Sequence, residues 1–267
     1  MNKIDRIGLQ LFTVRTEMER DFEGTLEKVA AIGYNEVEFA GYFEHPPQDV
    51  RKMLERHGLT APSAHVDYQS LVSNWPQVVE TAQTIGHTYI VNVGVALNLL
   101  GEPDIWKRAA DVFNRAGEFS QRAGIQFAYH NHYLEFIPVN GKKPYDLLLE
   151  LCEPELVKME LDFCWMAAVE QDPFIYFQRF PGRFPLAHVK QLRKLPTRMP
   201  GDEVGMILWE RTVPAITEVG EGVIDWKSTL GQAMQSGTQH FFVEHDAPQS
   251  PLASIQTSYD YLEKLRF

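Results

Sequence analysis

The chain has 267 residues, of which 44% are hydrophobic and 23% are charged, and its formal net charge is −11. This composition is typical of a globular protein with a large core. The acidic balance argues against a nucleic-acid partner, because phosphate binding depends on Lys and Arg. The sequence contains no apolar stretch of about 18 residues and no signal-peptide pattern, so we expect no membrane span. We expect a cytoplasmic protein, although a chain trimmed of an export signal would look the same.

Segments with strand and helix patterns alternate along the whole chain. The predicted strands are 6–12, 36–39, 60–66, 89–93, 126–130, 156–161, 184–189 and 240–244. The predicted helices are 21–32, 47–57, 75–85, 103–123, 145–152, 172–180, 226–235 and 251–265. A glycine that ends the helix follows most of them. Eight strands, each followed by a helix, predict a single (β/α)8 TIM barrel, an α/β fold that spans residues 1–267 as one domain.

A doubly wound open sheet is the main alternative architecture. Such sheets commonly carry a glycine-rich phosphate loop after the first strand. Residues 11–14 read Leu-Phe-Thr-Val at that point, so the sequence favours the barrel.

One long segment, at about 192–217, interrupts the alternation after the seventh strand. It lacks clear strand character and contains Pro196, Pro200, Gly201 and Trp209. The loops that follow the strands of a barrel line its active site. We therefore expect this extended loop to form a wall or lid over the site.

The last four predicted strands end in side chains that are common metal ligands. Parallel strands bring their carboxyl ends together at the mouth of a barrel, where inward and outward positions alternate. One ligand from each of these four strand ends gives a set of two imidazoles and two carboxylates. Such a set suits Mn²⁺, Co²⁺, Zn²⁺ or Mg²⁺. Without a cation, the buried carboxylates would repel each other and lose hydration. The inward pairs are His130 and His132, Glu160 and Asp162, His188 and Lys190, and Glu244 and Asp246.

The ends of earlier strands offer further candidate contacts for a substrate. Gln10, Glu38 and His65 end the first three strands, and each is either a site residue or a polar core group with a backbone partner. Trp165 follows the sixth strand by three residues. Its ring either stacks on the C–H face of a sugar or packs under a loop.

These segments resemble the xylose isomerase-like TIM barrels, a family of sugar phosphate isomerases and epimerases, over nearly the whole chain. The matching residues are Ile7-Gly8-Leu9-Gln10-Leu11, Val14-Arg15, Tyr129-His130-Asn131-His132, Glu135-Phe136, Leu161-Asp162, Trp165, Arg183, His188-Val189-Lys190, Val219-Gly220-Glu221-Gly222, Ile224-Asp225-Trp226, Val243-Glu244, Asp246, Pro251-Leu252 and Ser258-Tyr259-Asp260-Tyr261-Leu262.

The resemblance implies one divalent metal ion, commonly Mn²⁺, at the ends of strands five to eight. Family members usually hold it with Glu, Asp, His and Glu, and the last three correspond to Asp162, His188 and Glu244. The strand-five glutamate corresponds to His130. Either His130 is the fourth ligand, or His132 or Glu135 takes that place and His130 becomes a base. Glu135 is also a candidate substrate contact.

The chemistry that follows is proton abstraction next to a metal-bound carbonyl. The favoured function is a sugar isomerase or epimerase acting on a sugar or polyol-derived ketone. A 3-keto-glycoside lyase is the alternative, and a non-catalytic sugar-binding barrel is a third class. Glu244, His130 or His132 would act as the base, and Lys190 would stabilise the enediolate or protonate a leaving oxygen. The sequence leaves open which sugar is used and the oligomeric state, for which a homo-oligomer is one option.

Overall fold

Eight parallel strands form a closed barrel in the computed structural model, which describes residues 3–95, 99–100, 102, 104–197 and 207–267. Each strand pairs with its neighbours in sequence, and the first pairs with the last through Gly8 opposite Phe242. The predicted (β/α)8 barrel is therefore confirmed. The strands are β1 (Gly8–Gln10), β2 (Glu36–Phe39), β3 (Thr60–Val66), β4 (Tyr89–Asn92), β5 (Gln126–His130), β6 (Val157–Asp162), β7 (Leu186–Val189) and β8 (His240–Val243).

Helices surround the barrel. They are α1 (Arg15–Arg20), α2 (Phe22–Ile32), α3 (Pro47–His57), α4 (Tyr68–Ser73), α5 (Trp75–Ile85), α6 (Ile105–Arg122), α7 (Pro144–Leu151), α8 (Phe163–Ala168), α9 (Pro173–Arg179), α10 (Ile207–Thr212), α11 (Trp226–Gln235) and α12 (Pro251–Lys264). Short 3-10 helices cover Leu11–Val14, Leu134–Phe136 and Val213–Ala215. None of the described helices has the length and apolar character that a membrane crossing requires.

All eight predicted helices are present, and the short helices α1, α4, α8 and α10 are additional. Two of these begin at an aspartate that caps them. The carboxylate of Asp67 accepts the N–H of Ser70 in α4, and that of Asp162 accepts the N–H of Trp165 in α8. A side-chain oxygen at this position satisfies one of the free N–H groups of the first turn. Helices of six residues are too short for a periodic hydrophobic pattern, which is why the sequence analysis did not predict them.

The barrel interior contains an apolar layer formed by four fully buried side chains, Val91, Ala128, Leu186 and Phe242. These residues pack separately from the larger core, which fills the space between strands and helices. Side chains two residues apart on a strand point to the same face. The next inward positions on β5, β7 and β8 are therefore the ionisable residues at the mouth.

The extended segment after β7 begins and ends in a pair of short antiparallel strands, Gln191–Leu192 and Ile216–Thr217. The sequence showed no strand character there, since two residues are too few for an alternating pattern. The middle of the predicted loop, residues 198–206, lies outside the described residues. Downstream of it, α10 carries Trp209.

Candidate metal and active site

Three of the predicted metal ligands meet at the ends of β6, β7 and the residue after β8. Nδ1 of His188 lies 2.8 Å from Oε2 of Glu244 and 3.9 Å from Oδ2 of Asp162. One ligand atom from each residue lies within 4.8 Å of those of the other two. All three side chains are buried. This trio has the donor types and the spacing of a divalent-cation site.

The fourth predicted ligand, His130, belongs to a second cluster with His65, Glu160 and His188. Oε2 of Glu160 lies 2.8 Å from Nε2 of His65 and 3.2 Å from Nδ1 of His130. Strand register explains this grouping, because His130 lies opposite Glu160 on β6, whereas Asp162 lies opposite His188 on β7. Nε2 of His130 still approaches Oδ2 of Asp162 to 4.0 Å, so this ring lies between the trio and the second cluster.

The ammonium of Lys190 is buried among three carboxylates at the mouth of the barrel. Its Nζ lies 2.6 Å from Oε2 of Glu244, 3.0 Å from Oδ2 of Asp246 and 3.1 Å from Oδ2 of Asp162. Burial opposes the charge, but these carboxylates hold the pKa of Lys190 well above its usual value. Lys190 is therefore a fixed cation beside two members of the trio.

The four imidazoles of the site divide into two charge states. Burial lowers the pKa of His130 well below its ordinary value and that of His132 to about 3, and neighbouring cations add to both shifts. Burial also opposes charge on His65, but Glu38 and Glu160 raise its pKa to about 9. The pKa of His188 is raised in the same way by Glu160 and Glu244. At neutral pH, His130 and His132 are therefore neutral, whereas His65 and His188 are protonated.

The charges of the site leave room for a divalent cation. In the described part of the chain, five buried carboxyl groups (Glu38, Glu160, Asp162, Glu244 and Asp246) outnumber the three cations His65, His188 and Lys190, and burial raises the pKa of Asp162 and that of Asp246, the latter to about 6. Among the described residues, no hydrogen bond reaches Oε1 of Glu160, whereas Oδ2 of Asp162 has an ion pair with Lys190 at 3.1 Å. Unsatisfied buried oxygens of this kind are costly without an ion. A divalent metal therefore fits the trio, and its binding would compete with the proton on His188.

Two of the predicted substrate contacts, Gln10 and Glu38, are fully buried under the clusters. Nε2 of Gln10 donates to Oε2 of Glu38 at 2.7 Å, and the same oxygen lies 2.7 Å from Nε2 of His188. The hydroxyl of Ser63 donates to the other oxygen of Glu38. Ser63, which was not among the predicted site residues, lies two residues before His65 on the same face of β3. Roles for Gln10 and Glu38 as substrate contacts stay predictions.

The loop after β5 is held by Glu135, which lies outside both clusters. Its carboxylate accepts the hydroxyl of Tyr129 at 2.5 Å and the backbone N–H of His132 at 2.9 Å. Asn131, which the sequence analysis did not single out, accepts the N–H of Asp162 through Oδ1 at 3.1 Å. Glu135 and Asn131 thus fix the backbone beside His132 and Asp162, respectively.

An aromatic pair forms one side of the site. Trp165 is fully buried and stacks on Trp209 with ring centroids 4.7 Å apart, and Nζ of Lys190 lies 5.3 Å from the Trp165 ring. The ring of His132 lies 5.8 Å from that of Trp209. Trp209, which lies on the segment after β7, lines the cavity at the mouth of the barrel, whereas the predicted Trp165 is not among the described lining residues.

A central cavity of 640 Å³ opens above these groups, which is a usual size for a small-molecule site. Its lining includes His65, His130, His132, Lys190, Glu244 and Asp246. The cavity therefore exposes neutral imidazoles, a cation and carboxylates to one bound molecule.

The sequence matches the family model of the xylose isomerase-like TIM barrel over residues 26–265. The chain belongs to this family. The resemblance inferred from the motifs is thereby confirmed.

Relatives in the family are distant in sequence. An inosose dehydratase from Lacticaseibacillus casei is 22% identical over 272 residues, covering 90% of this chain and 87% of the relative. A sugar phosphate isomerase/epimerase from Parabacteroides distasonis superposes with a TM-score of 0.80 at 24% identity, covering 97% and 98% of the two chains. The IOLI protein, solved with a bound zinc atom, superposes with a TM-score of 0.74 at 17% identity, covering 96% and 95%. At these identities the solved structures support the fold alone.

Proposed function

We propose that the protein is a divalent-metal-dependent enzyme that removes a proton next to the carbonyl of a sugar- or polyol-derived ketone and then expels a leaving group from the adjacent carbon. The observation that carries this proposal is the placement of Lys190. A protonated lysine and the neutral His132 line the same cavity. Elimination needs a base and an acid of this kind on one substrate.

Asp162, His188 and Glu244 would hold the cation, with His130 beside them as the nearest further nitrogen donor. When bound, a divalent metal polarises a carbonyl and makes the neighbouring C–H more acidic. The chain departs from the usual family pattern because a histidine replaces the strand-five glutamate. This departure removes the pair of carboxylates that would exchange protons on opposite faces of a substrate.

His132 is the proposed base. Its pKa of about 3 belongs to the free protein, where burial and then the charge of Lys190 disfavour a second cation. As negative charge develops on the substrate between the two residues, that charge offsets Lys190 and raises the proton affinity of the imidazole. The relevant pKa for turnover is the one in the complex.

Lys190 is the proposed acid. Its ammonium first stabilises the enediolate and then donates a proton to the leaving oxygen. Asp162, Glu244 and Asp246 keep the amine protonated until the leaving oxygen gains charge. Glu244 and Asp246 also keep Nζ directed at the cavity that they line.

The inosose dehydratases among the relatives support elimination, since loss of water is an elimination. Isomerase or epimerase chemistry is the second candidate. It is favoured by the presence of Glu244, after β8, and His132, after β5, on the lining of one cavity. Two acid–base groups from different strands would permit a proton to return to a different carbon or face.

The test is proton exchange in ²H₂O, after metal analysis of the purified protein. The substrates are an inosose, free ketoses and 3-keto glycosides, followed by NMR. Exchange with loss of the leaving group supports elimination, and exchange with conversion to an isomer supports the second candidate. A protein that binds these ketones without exchanging any proton would refute both and leave the sugar-binding barrel.

A further inference from the structure

A second cavity of 360 Å³ lies beside the central one. The two share four lining residues, Asp67, Val93, His132 and Trp209. The two cavities therefore adjoin along these residues, and we call the second one the side cavity.

Aromatic and aliphatic side chains dominate the lining of the side cavity. Its described lining includes Tyr68, Val95, Leu100, Trp106, Tyr133 and Trp209. Aromatic rings of this kind pack well on flat apolar groups, especially in offset or edge-on contacts. The side cavity thus contrasts with the ionisable lining of the central cavity.

The acidic groups of the side cavity already have partners. Both carboxylate oxygens of Glu135 accept hydrogen bonds, from Tyr129 and His132. Asp67 caps α4 by accepting the N–H of Ser70, and both Asp67 and Gln69 are exposed at the rim. The buried part of the cavity therefore presents few polar atoms to a ligand.

Size separates the candidate leaving groups. Water occupies about 30 Å³ in the liquid, roughly a tenth of the side cavity. Loss of water would use little of this space, whereas an aryl group is several times larger and fits within it.

We infer that the side cavity binds an aromatic aglycone, so that the substrate is a keto-glycoside with an aryl leaving group. This inference rests on the proposed function and names its substrate class. The keto-sugar ring lies in the central cavity beside Lys190, and the glycosidic bond crosses the boundary of the two cavities along the edges of His132 and Trp209.

The reaction balances without an oxidant or reductant. In a 3-keto-glycoside, His132 removes the proton at C2, next to the ketone, and the C–H electron pair forms the C1=C2 double bond. The bond between C1 and the glycosidic oxygen breaks with its electron pair on oxygen. Lys190 gives that oxygen a proton, and the aryl alcohol leaves through the side cavity.

Binding is tested first with ligands that lack the ketone and do not react. Calorimetry compares phenyl β-glucoside with methyl β-glucoside on the whole protein. We expect the phenyl compound to bind at least about tenfold more tightly, because its ring enters an apolar cavity. Equal affinities would overturn the inference.

Two variants fill the side cavity from different walls, Val95→Phe and Leu100→Trp. Each should remove the phenyl preference while preserving the affinity for methyl β-glucoside, and the second serves if the first does not fold. The matched control, Val139→Phe, adds the same side chain at an exposed site and should keep the preference. A phenyl preference that persists in folded cavity-filled variants would contradict the assignment.

The proposed function is checked separately by proton exchange at C2 of 3-keto glycosides. A phenyl preference without exchange would support the aglycone site and refute the proposed chemistry. Exchange without a phenyl preference would support the proposed chemistry and refute the aglycone site. Both together, with release of phenol that Val95→Phe reduces about tenfold or more, would support the complete assignment.

Discussion

The barrel interior has two layers of side chains, which lie two residues apart along the same strands and differ completely in chemistry. Ala128, Leu186 and Phe242 form a dry layer, and the next inward residues on those strands are His130, His188 and Glu244. The apolar level supplies hydrophobic free energy at about 25 cal/mol per Å². The ionisable level removes charged groups from water, which costs free energy unless they are paired. Stability and function therefore come from adjacent layers of the same strands.

A large loss of metal binding is expected in Asp162→Asn. The amide preserves the shape and the cap of α8 but removes an anionic ligand, so we expect metal affinity to fall by more than about 100-fold. Metal content after dialysis, together with circular dichroism, measures this. The matched control is Asp172→Asn, which changes the exposed aspartate that caps α9. Stoichiometric metal in Asp162→Asn would refute the ligand assignment.

Removing the proposed base should lower turnover without changing the metal. For His132→Gln we expect turnover to fall by roughly 10²–10⁴-fold, the usual contribution of a general base. The measurement is substrate deuterium exchange beside metal analysis, with His57→Gln on α3 as the control. Wild-type exchange in His132→Gln would exclude this residue as the base.

In the apolar level, Phe242→Ala should destabilise the fold. Truncating a fully buried phenylalanine removes hydrophobic surface and leaves a cavity, at a cost of about 3–5 kcal/mol. Denaturant unfolding measures the loss, and Phe119→Ala, at an exposed position of α6, should change stability by much less. Molecules that remain folded should bind metal as the wild type does. Loss of metal affinity equal to that of Asp162→Asn would mean that the two levels are not separable.

Some of this organisation was predictable from sequence. The predicted bounds of β2, β3 and β5 agree with the structure, because short apolar runs bounded by turns define buried strands. Counting along each strand also predicted which polar residues point inward. The family resemblance then selected Asp162, His188 and Glu244 among these residues, and the structure brings the three together.

The partners of the polar residues were not predictable in the same way. Whether His130 lies level with Glu160 or with Asp162 depends on the stagger between strands, which the alternation within one strand does not contain. The three ion pairs of Lys190 also depend on the stagger between strands. The structure pairs Lys190 with Asp246, Asp162 and Glu244, which come from two neighbouring strand ends.

A buried imidazole away from the carboxylates provides a contrast in pH dependence. Burial lowers the pKa of His87 to about 4, and its ring bonds the carbonyl of Ala61 and the hydroxyl of Tyr42. The unfolded chain takes up a proton below about pH 6.5, whereas the folded protein resists until about pH 4. Stability associated with His87 is therefore present above pH 6.5 and is lost as pH falls to 4.

The variant His87→Gln should unfold with a weaker dependence on pH between 6.5 and 4. Each pKa unit corresponds to about 1.4 kcal/mol. We therefore expect the free energy of unfolding to fall between pH 6.5 and pH 4 by up to a few kcal/mol less in the variant than in the wild type. Urea unfolding at several pH values measures the slope for wild type and variant. An unchanged slope would contradict the assignment.

The smallest expected effect is a gain in metal affinity when Lys190 is replaced. The ammonium of Lys190 contacts the same oxygens of Asp162 and Glu244 that lie nearest to Nδ1 of His188. A bound cation would be repelled by it, so Lys190→Met should bind Mn²⁺ roughly tenfold more tightly. Calorimetric titration measures the affinity, with Lys158→Met as a control for loss of a half-buried lysine on β6. Unchanged or weaker binding in Lys190→Met would show that the ammonium does not compete.

The short strand pair at the base of the extended segment has a consequence for changes in the length of that segment. Its ends are tied by the N–H of Arg193 to the carbonyl of Ala215, and by the N–H of Val223 to the carbonyl of Leu192. A Cβ at Gly222 would lie 2.0 Å from that same carbonyl oxygen, so the closure requires glycine there. Doubling the length of a closed loop costs only about 0.6 kcal/mol. Insertions or deletions in the segment that carries Trp209 should therefore leave the barrel intact while they change one wall of the central cavity.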